Sequence, residues 1–186
     1  HGLYFFRFTY PDDYPYSPPH VEYLTNNDRV RFNPNLYRSG KVCVSILNTW
    51  SGPQWSSCQS ISSVLLTLTT LFHNKPLLNE PGLTETHPSF NVYNKIIKYS
   101  SIKIAILDVL NKKICKKMYK RFKIQIHEHI KKNKESIIKK INEIDKMLLE
   151  DDKKVLKMNI YSINISCKKK GGLLNEFESY VNENMK

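Results

Sequence analysis

The chain has 186 residues, 40% of them apolar, 11% aromatic and 25% charged. That composition excludes a disordered or fibrous chain and suits one globular domain with an appendage. No apolar run approaches the ~18 residues of a membrane-spanning helix, and His1-Gly2-Leu3-Tyr4-Phe5-Phe6 lacks the basic start and cleavage site of a secretory signal. A chain that opens on His1 rather than Met reads as a piece of a longer one. The net charge of +12 is lopsided: residues 1–100 hold 8 Lys/Arg against 6 Asp/Glu, and residues 101–186 hold 21 against 11. The excess therefore reads as a solvated Lys-rich face of the second half, and neither nucleic acid nor a membrane is expected as a partner. Cys43, Cys58, Cys115 and Cys167 are widely spaced with no C-x-x-C pair, which fits a reducing compartment and gives no metal knuckle. His127 and His129 would point to different faces of a helix and read as surface residues rather than a metal chelate.

In chain order, Gly2 to Tyr10 predicts a strand with Tyr4, Phe6 and Phe8 on one face, ended by Pro11-Asp12-Asp13. Tyr14-Pro15-Tyr16-Ser17-Pro18-Pro19 is extended by its prolines; His20 to Thr25 predicts an antiparallel partner strand, and Val30 to Phe32 a short third one. Asn33 to Ser57 reads as an ordered but irregular loop around the apolar stretch Val42 to Leu47, a kind of segment that usually carries function. Ile61, Val64, Leu65, Leu68, Leu71 and Phe72 lie at helical spacing and predict a core-facing stripe, with Ser56 or Ser57 as N-cap and Pro76 as the far bound. All nine prolines lie at or before Pro88, so the remainder can be largely helical. Helices are predicted near Ser89 to Tyr99, from Ser101 to about Tyr119 with Ile102, Ala105, Ile106, Val109, Leu110 and Ile114 inward, and from Ile124 to Leu149. Asp151-Asp152 interrupts the pattern, Val155 to Ile165 is ambiguous between strand and helix, and Leu173, Leu174, Phe177 and Val181 restore helical spacing.

Several motifs fall in one order across Tyr14 to Pro81. Tyr14-Pro15-Tyr16-Ser17-Pro18-Pro19 is followed by Asn33-Pro34-Asn35, and eight residues after Asn35 comes Cys43 within Gly40-Lys41-Val42-Cys43-Val44-Ser45-Ile46-Leu47; Trp55-Ser56-Ser57 then precedes the amphipathic helix. Taken together, this stretch resembles the ubiquitin-conjugating enzyme (UBC) family, whose Y-P-x-x-P-P, His-Pro-Asn, G-x-[IV]-C-x-x-I-L and W-S-P motifs it parallels. Phe32-Asn33-Pro34-Asn35, the stretch Val42 to Gly52 and Asn79-Glu80-Pro81-Gly82 look most like the family's larger, divergent Z-type and O-type members; His87-Pro88 and Tyr93-Asn94, followed by the long helix from Ser101 to Leu110, favour the Z-type. The resemblance implies an α/β (α+β) UBC-like fold, a small antiparallel sheet packed against helices. Residues 1–120 would form the UBC core without its N-terminal helix and first strand, and residues 121–186 a Lys-rich, mainly helical extension.

The chemistry follows from the residues. Accepting an acyl group from another enzyme's thioester needs a thiol, whose product keeps a high transfer potential toward amines. Cys43 has no His, Asp or Glu close in sequence to act as a dedicated base, which suits transthiolation better than peptide hydrolysis. By resemblance, Cys43 is the thioester nucleophile and Asn35 stabilises the oxyanion or braces the loop that does. Asn79 orients the acceptor lysine, and Tyr16, Ser57 and Cys58 meet a partner ligase. Asn33 replaces the family's His, whose part there is chiefly structural; Ser45 and Asn79 stand where acids are frequent. Implied partners are ubiquitin or a ubiquitin-like modifier, the activating enzyme, a RING- or HECT-type ligase and protein substrates. No metal and no cofactor is called for, and a cytoplasmic and nuclear location is expected. Two rivals remain open from sequence: a cysteine hydrolase pairing Cys43 with a distant His such as His87, and a non-catalytic module with a basic nucleic-acid-binding tail.

Overall fold

The computed structural model describes residues 2–150 and 155–185. Two short strands, β1 (Phe6–Thr9) and β2 (His20–Tyr23), pair antiparallel with Phe6 opposite Tyr23 and Phe8 opposite Val21. Alternation puts Phe6 and Phe8 inward while Arg7 and Glu22 pair across the outer face at 3.1 Å. The strands are shorter than the sequence predicts. Beyond β1, the N-terminal residues are held otherwise: the Leu3 amide donates to the Ala105 carbonyl and the Phe5 amide to the Thr25 hydroxyl. The predicted third strand does not form. Val30 and Phe32 are buried, but pairing there is confined to single bridges, Asn33 with Leu36, Leu36 with Val42 and Glu22 with Lys41.

Helix α1 (Ile61–Thr70) is capped by Ser60, whose amide meets the Ser63 hydroxyl at 3.5 Å, rather than by Ser56 or Ser57. Val64, Leu68 and Leu71 are buried as predicted. Leu65, at the edge of the stripe, is 47% exposed, and Phe72 is partly exposed while stacking on Tyr4 at 4.2 Å. Pro76 does not end α1; it opens a 3₁₀ turn, Pro76–Asn79.

The two helices predicted after Ser89 merge, and the second ends at Leu110 instead of about Tyr119, with turns and bends at 111–114 before helix resumes at Lys116. Helix α2 (Ser89–Ile102) runs without a break into a π-helical turn, Lys103–Asp108. There Lys103 and Asp108, five residues apart, form an ion pair that the wider turn brings into register. Tyr93, Ile96, Tyr99, Ile102 and the run Ile104 to Leu107 are buried. Helix α3 (Lys116–Arg121) is a short turn before the 28-residue α4 (Lys123–Glu150), which buries Ile126, Ile130, Ile137, Ile141 and Ile144. The predicted interruption at Asp151-Asp152 lies outside the described residues. The ambiguous stretch is a hairpin, β3 (Val155–Met158) with β4 (Ile163–Ser166), in which Leu156, Met158 and Ile163 face inward. Helix α5 (Gly172–Asn184) follows and buries Leu173, Phe177 and Tyr180. Asp145 of α4 accepts the Gly171 amide at 2.8 Å, at the start of α5.

One apolar core runs from Val21 and Phe32 through Tyr93, Ile106 and Ile137 to Phe177. The second half is thus packed onto the first along α2. No helix among the described residues is long and apolar enough to cross a membrane. Nor do the two histidines sit free on the surface: His127 is half-buried, its Nε2 3.1 Å from the Tyr119 hydroxyl and 3.0 Å from that of Tyr180. The helix periodicity that places His127 beside the apolar stripe could have signalled this; the partners from α3 and α5 could not be read locally.

Candidate active site

Cys43 lies in a loop whose backbone is almost fully committed. Its amide donates to the Asn35 carbonyl at 2.9 Å, and the Asn35 side-chain amide donates to the Cys43 carbonyl at 2.6 Å. The flanking residues are held by Thr49, whose hydroxyl accepts the Val44 amide at 3.0 Å and donates to the Val42 carbonyl at 2.8 Å. These bonds fix residues 42–44 where no sheet ladder exists to do so. Cys43 as a whole is 3% exposed, between buried Val42 and Val44. An acyl carrier must therefore reach the sulfur through a narrow opening or displace neighbouring side chains.

Asn33-Pro34-Asn35 forms the other wall. Asn33 is fully buried; its side-chain amide donates to the Leu71 carbonyl at 2.8 Å and its side-chain oxygen accepts the Asn35 amide at 2.8 Å. That second bond is an Asx turn, and it sets the backbone from which Asn35 reaches Cys43. The residue standing for the family's His is therefore a tie between the loop and the end of α1. Asn35 carries two amide protons, and one is spent on Cys43. The other makes no hydrogen bond among the described residues.

Beyond Cys43 a 3₁₀ turn, Ser45–Leu47, ends at Asn48, which adopts φ 57° and accepts the Trp55 amide on its side chain at 2.9 Å. The intervening loop folds back so closely that a Cβ on Gly52, at φ 127°, would lie 3.1 Å from the Ser45 Cβ. Ser45 is thus pressed beneath this loop rather than open at the cleft mouth.

Asn79 closes the Pro76–Asn79 turn. Its side-chain oxygen lies 3.0 Å from His73 Nε2, so its amide is oriented by a histidine that sequence reasoning passed over. The structure gives it no contact with Cys43 or Asn35. Next to it, Glu80 accepts a hydrogen bond from the Tyr161 hydroxyl in the β3–β4 turn. His87, the distant base of the hydrolase reading, is spent elsewhere: its Nδ1 accepts the Ser89 amide at 3.1 Å at the start of α2. Among the described residues no hydrogen bond joins the Cys43 thiol to an acid or base. No three metal-ligating side chains cluster among them either.

The expected partner surface is assembled from two loops. The Trp55 indole donates to the Pro15 carbonyl at 2.7 Å, just after a cis Tyr14-Pro15 bond, and its ring lies 6.0 Å from that of Tyr14. This ties the Tyr14 to Pro19 segment to the loop before α1. Tyr16 projects from it 80% exposed, rather than packing on Pro18 and Pro19, and Ser57 and Cys58 are exposed as well.

Comparison with known proteins joins these features. The family model described as ubiquitin-conjugating enzyme matches residues 1–90, which hold Tyr16, Asn35, Cys43, Ser57, Cys58 and Asn79. Ubiquitin-conjugating enzyme E2 Z of Homo sapiens is 49% identical over 115 residues, 60% of this chain and 32% of the relative. The Danio rerio protein of that name is 47% identical over 116 residues, 61% of this chain and 35% of the relative. A probable ubiquitin-conjugating enzyme of Caenorhabditis elegans, protein 17, is 37% identical over 149 residues, 74% of this chain and 20% of the relative. The chain thus spans about a third or less of the length of these curated relatives. With the clasped cysteine, the asparagine turn and the indole-tied proline segment all inside the matched stretch, the chain belongs to the ubiquitin-conjugating enzyme family and is most like its Z-type members.

Proposed function

We propose that the chain carries ubiquitin, or a ubiquitin-like modifier, as a thioester on Cys43. An activating enzyme supplies it, and it passes to a lysine amine with the help of a ligase. The observation that carries this reading is the reciprocal Asn35–Cys43 clasp. In loading, the Cys43 thiolate attacks the carbonyl carbon of the activating enzyme's thioester and that enzyme's thiolate leaves. In discharge, the neutral amine attacks the Cys43 thioester and charge gathers on the carbonyl oxygen. The C–S bond then breaks to return the thiolate, and the amine loses its proton to solvent. Asn35, held at fixed distance, offers its remaining amide proton to that oxygen at no reorganisation cost. Asn79 and a partly enclosed cleft would orient and desolvate the amine in place of an acid. A RING-type ligase would dock on Tyr16, Ser57 and Cys58 and favour attack by lysine; a HECT-type ligase would instead accept the acyl group on its own cysteine. Free thiols at Cys43 and at exposed Cys58 are in keeping with a reducing, cytoplasmic or nuclear setting.

Incubation with activating enzyme, ATP and ubiquitin should give an adduct cleaved by thiol reductants. Cys43→Ser should replace it with a reductant-resistant oxyester. Survival of the labile adduct in Cys43→Ser would overturn the assignment, and release of free ubiquitin without an isolable adduct would favour a hydrolase.

A further inference from the structure

The β3–β4 hairpin packs on α2 through β3, and buries Leu156, Met158 and Ile163 on its strands. Yet the turn sends Tyr161 into the loops that build the site. Its hydroxyl donates to Glu80, and its backbone carbonyl accepts from the Arg38 guanidinium. Its ring stacks under the Arg31 guanidinium at 4.6 Å and meets the Tyr93 ring at 5.7 Å. Arg31 is held from the other side by the Tyr37 ring at 3.8 Å and donates to the carbonyl of Pro34; Tyr93 in turn donates to the Arg31 carbonyl at 2.6 Å. One residue of the second half therefore touches Arg31, Arg38 and Glu80, each on a loop that leads to the site. Through Arg31 it reaches Pro34, next to the asparagine that clasps Cys43, and through Glu80 it reaches the turn that ends at Asn79.

We infer that Tyr161 is a positioning residue for acyl transfer from Cys43, the β3–β4 turn serving as a brace that holds Asn35 and Asn79 in place from outside. This rests on the thioester reading. Ordering two arginines and a glutamate around one phenol costs side-chain entropy that hairpin anchoring does not require. What it secures is the placement of groups around a reacting carbonyl, where a misfit of about 1 Å costs on the order of 10²-fold in rate. Burial, together with the hydrogen bond to Glu80, holds the Tyr161 phenol well above its ordinary range, so it remains a hydrogen-bond donor at every pH at which discharge would be followed.

The test uses the whole chain, charged with ubiquitin, freed of ATP and mixed with free lysine over a range of concentrations. The decay of the adduct is read as a rate constant on charged molecules only, so a loss of folded protein lowers amplitude and not rate. Tyr161→Ala should lower the limiting rate at saturating lysine about 10-fold with little change in the lysine concentration giving half that rate. Tyr161→Phe, which keeps the ring under Arg31 and loses only the Glu80 bond, should recover part of it. Should Tyr161→Ala fold poorly, Tyr161→Phe and Glu80→Ala are read alone, and both should slow discharge by several-fold. Discharge at the parental rate in the variants overturns the brace. A parental chain that forms no labile adduct overturns the thioester reading and the brace together.

Discussion

Asn35 and Cys43 hold each other by two reciprocal hydrogen bonds, backbone amide to carbonyl at 2.9 Å and side-chain amide to carbonyl at 2.6 Å. Deleting the side chain in Asn35→Ala leaves the first bond and removes the second along with the spare donor. Discharge to lysine should fall about 10²-fold, the usual cost of one oxyanion donor. In Asn35→Asp a carboxylate would face the Cys43 carbonyl and repel it, so the loss should be at least as large. Single-turnover decay of the charged adduct measures both.

Asn33 is fully buried and bridges Leu71 to Asn35. Asn33→Ala leaves the buried Leu71 carbonyl without this partner, at about 1–3 kcal/mol, and frees the part-buried Asn35 amide at a smaller cost. Urea unfolding should show a lower midpoint at unchanged slope, and discharge should slow as well because the Asx turn that aims Asn35 is gone.

Tyr16 is 80% exposed, and nothing in the fold depends on covering it. Tyr16→Ala should leave unfolding free energy within about 0.5 kcal/mol of the parent. Binding to a RING-type ligase, followed by titration calorimetry, should weaken at least tenfold, since an exposed aromatic anchor is typically where such binding energy concentrates.

Acid should loosen the second half. Burial and Lys123 hold His127 below its ordinary value of 6.5, and burial and Lys132 lower His129 in the same direction. The unfolded chain then binds more protons than the folded one just below pH 6.5, so this contribution is complete above that pH and declines as pH falls through the folded values. Glu176 adds a separate loss at lower pH. Burial opposes its charge, but Lys168, Lys103 and Lys113 hold it below 4.5, so its contribution is present above that value and fades beneath it. The melting temperature should therefore fall as the pH is lowered below about 6.5, and His127→Gln should flatten that slope.

Much of the site was legible because its chemistry is written in contiguous residues. Cys43, Asn35 and the proline-rich segment fall at fixed spacings, and the helices declared themselves by periodicity. What escaped lies in contacts distant in sequence. The Val30 to Phe32 stretch is apolar enough for a strand, but the backbone turns at Asn33, which bridges to Leu36 while its side chain bonds Leu71, and no ladder forms. Leu65 obeys the helical spacing, yet sits at the stripe's edge and is only about half covered. The two predicted helices after Ser89 became one because the π-helical turn absorbs the register change that a chain break would otherwise provide. Thr49 and Tyr161 carried no local signal, since each acts on partners set by tertiary structure.

The shared core along α2 also limits which C-terminal segments this chain can accept. Tyr99 shows why: buried on α2, its hydroxyl accepts the Lys168 amide at 3.0 Å from the segment before α5. A C-terminal segment borrowed from a relative and joined near residue 120 would have to match that helix face residue by residue. The second half is therefore coupled to α2, and a graft that changes one without the other should lose stability.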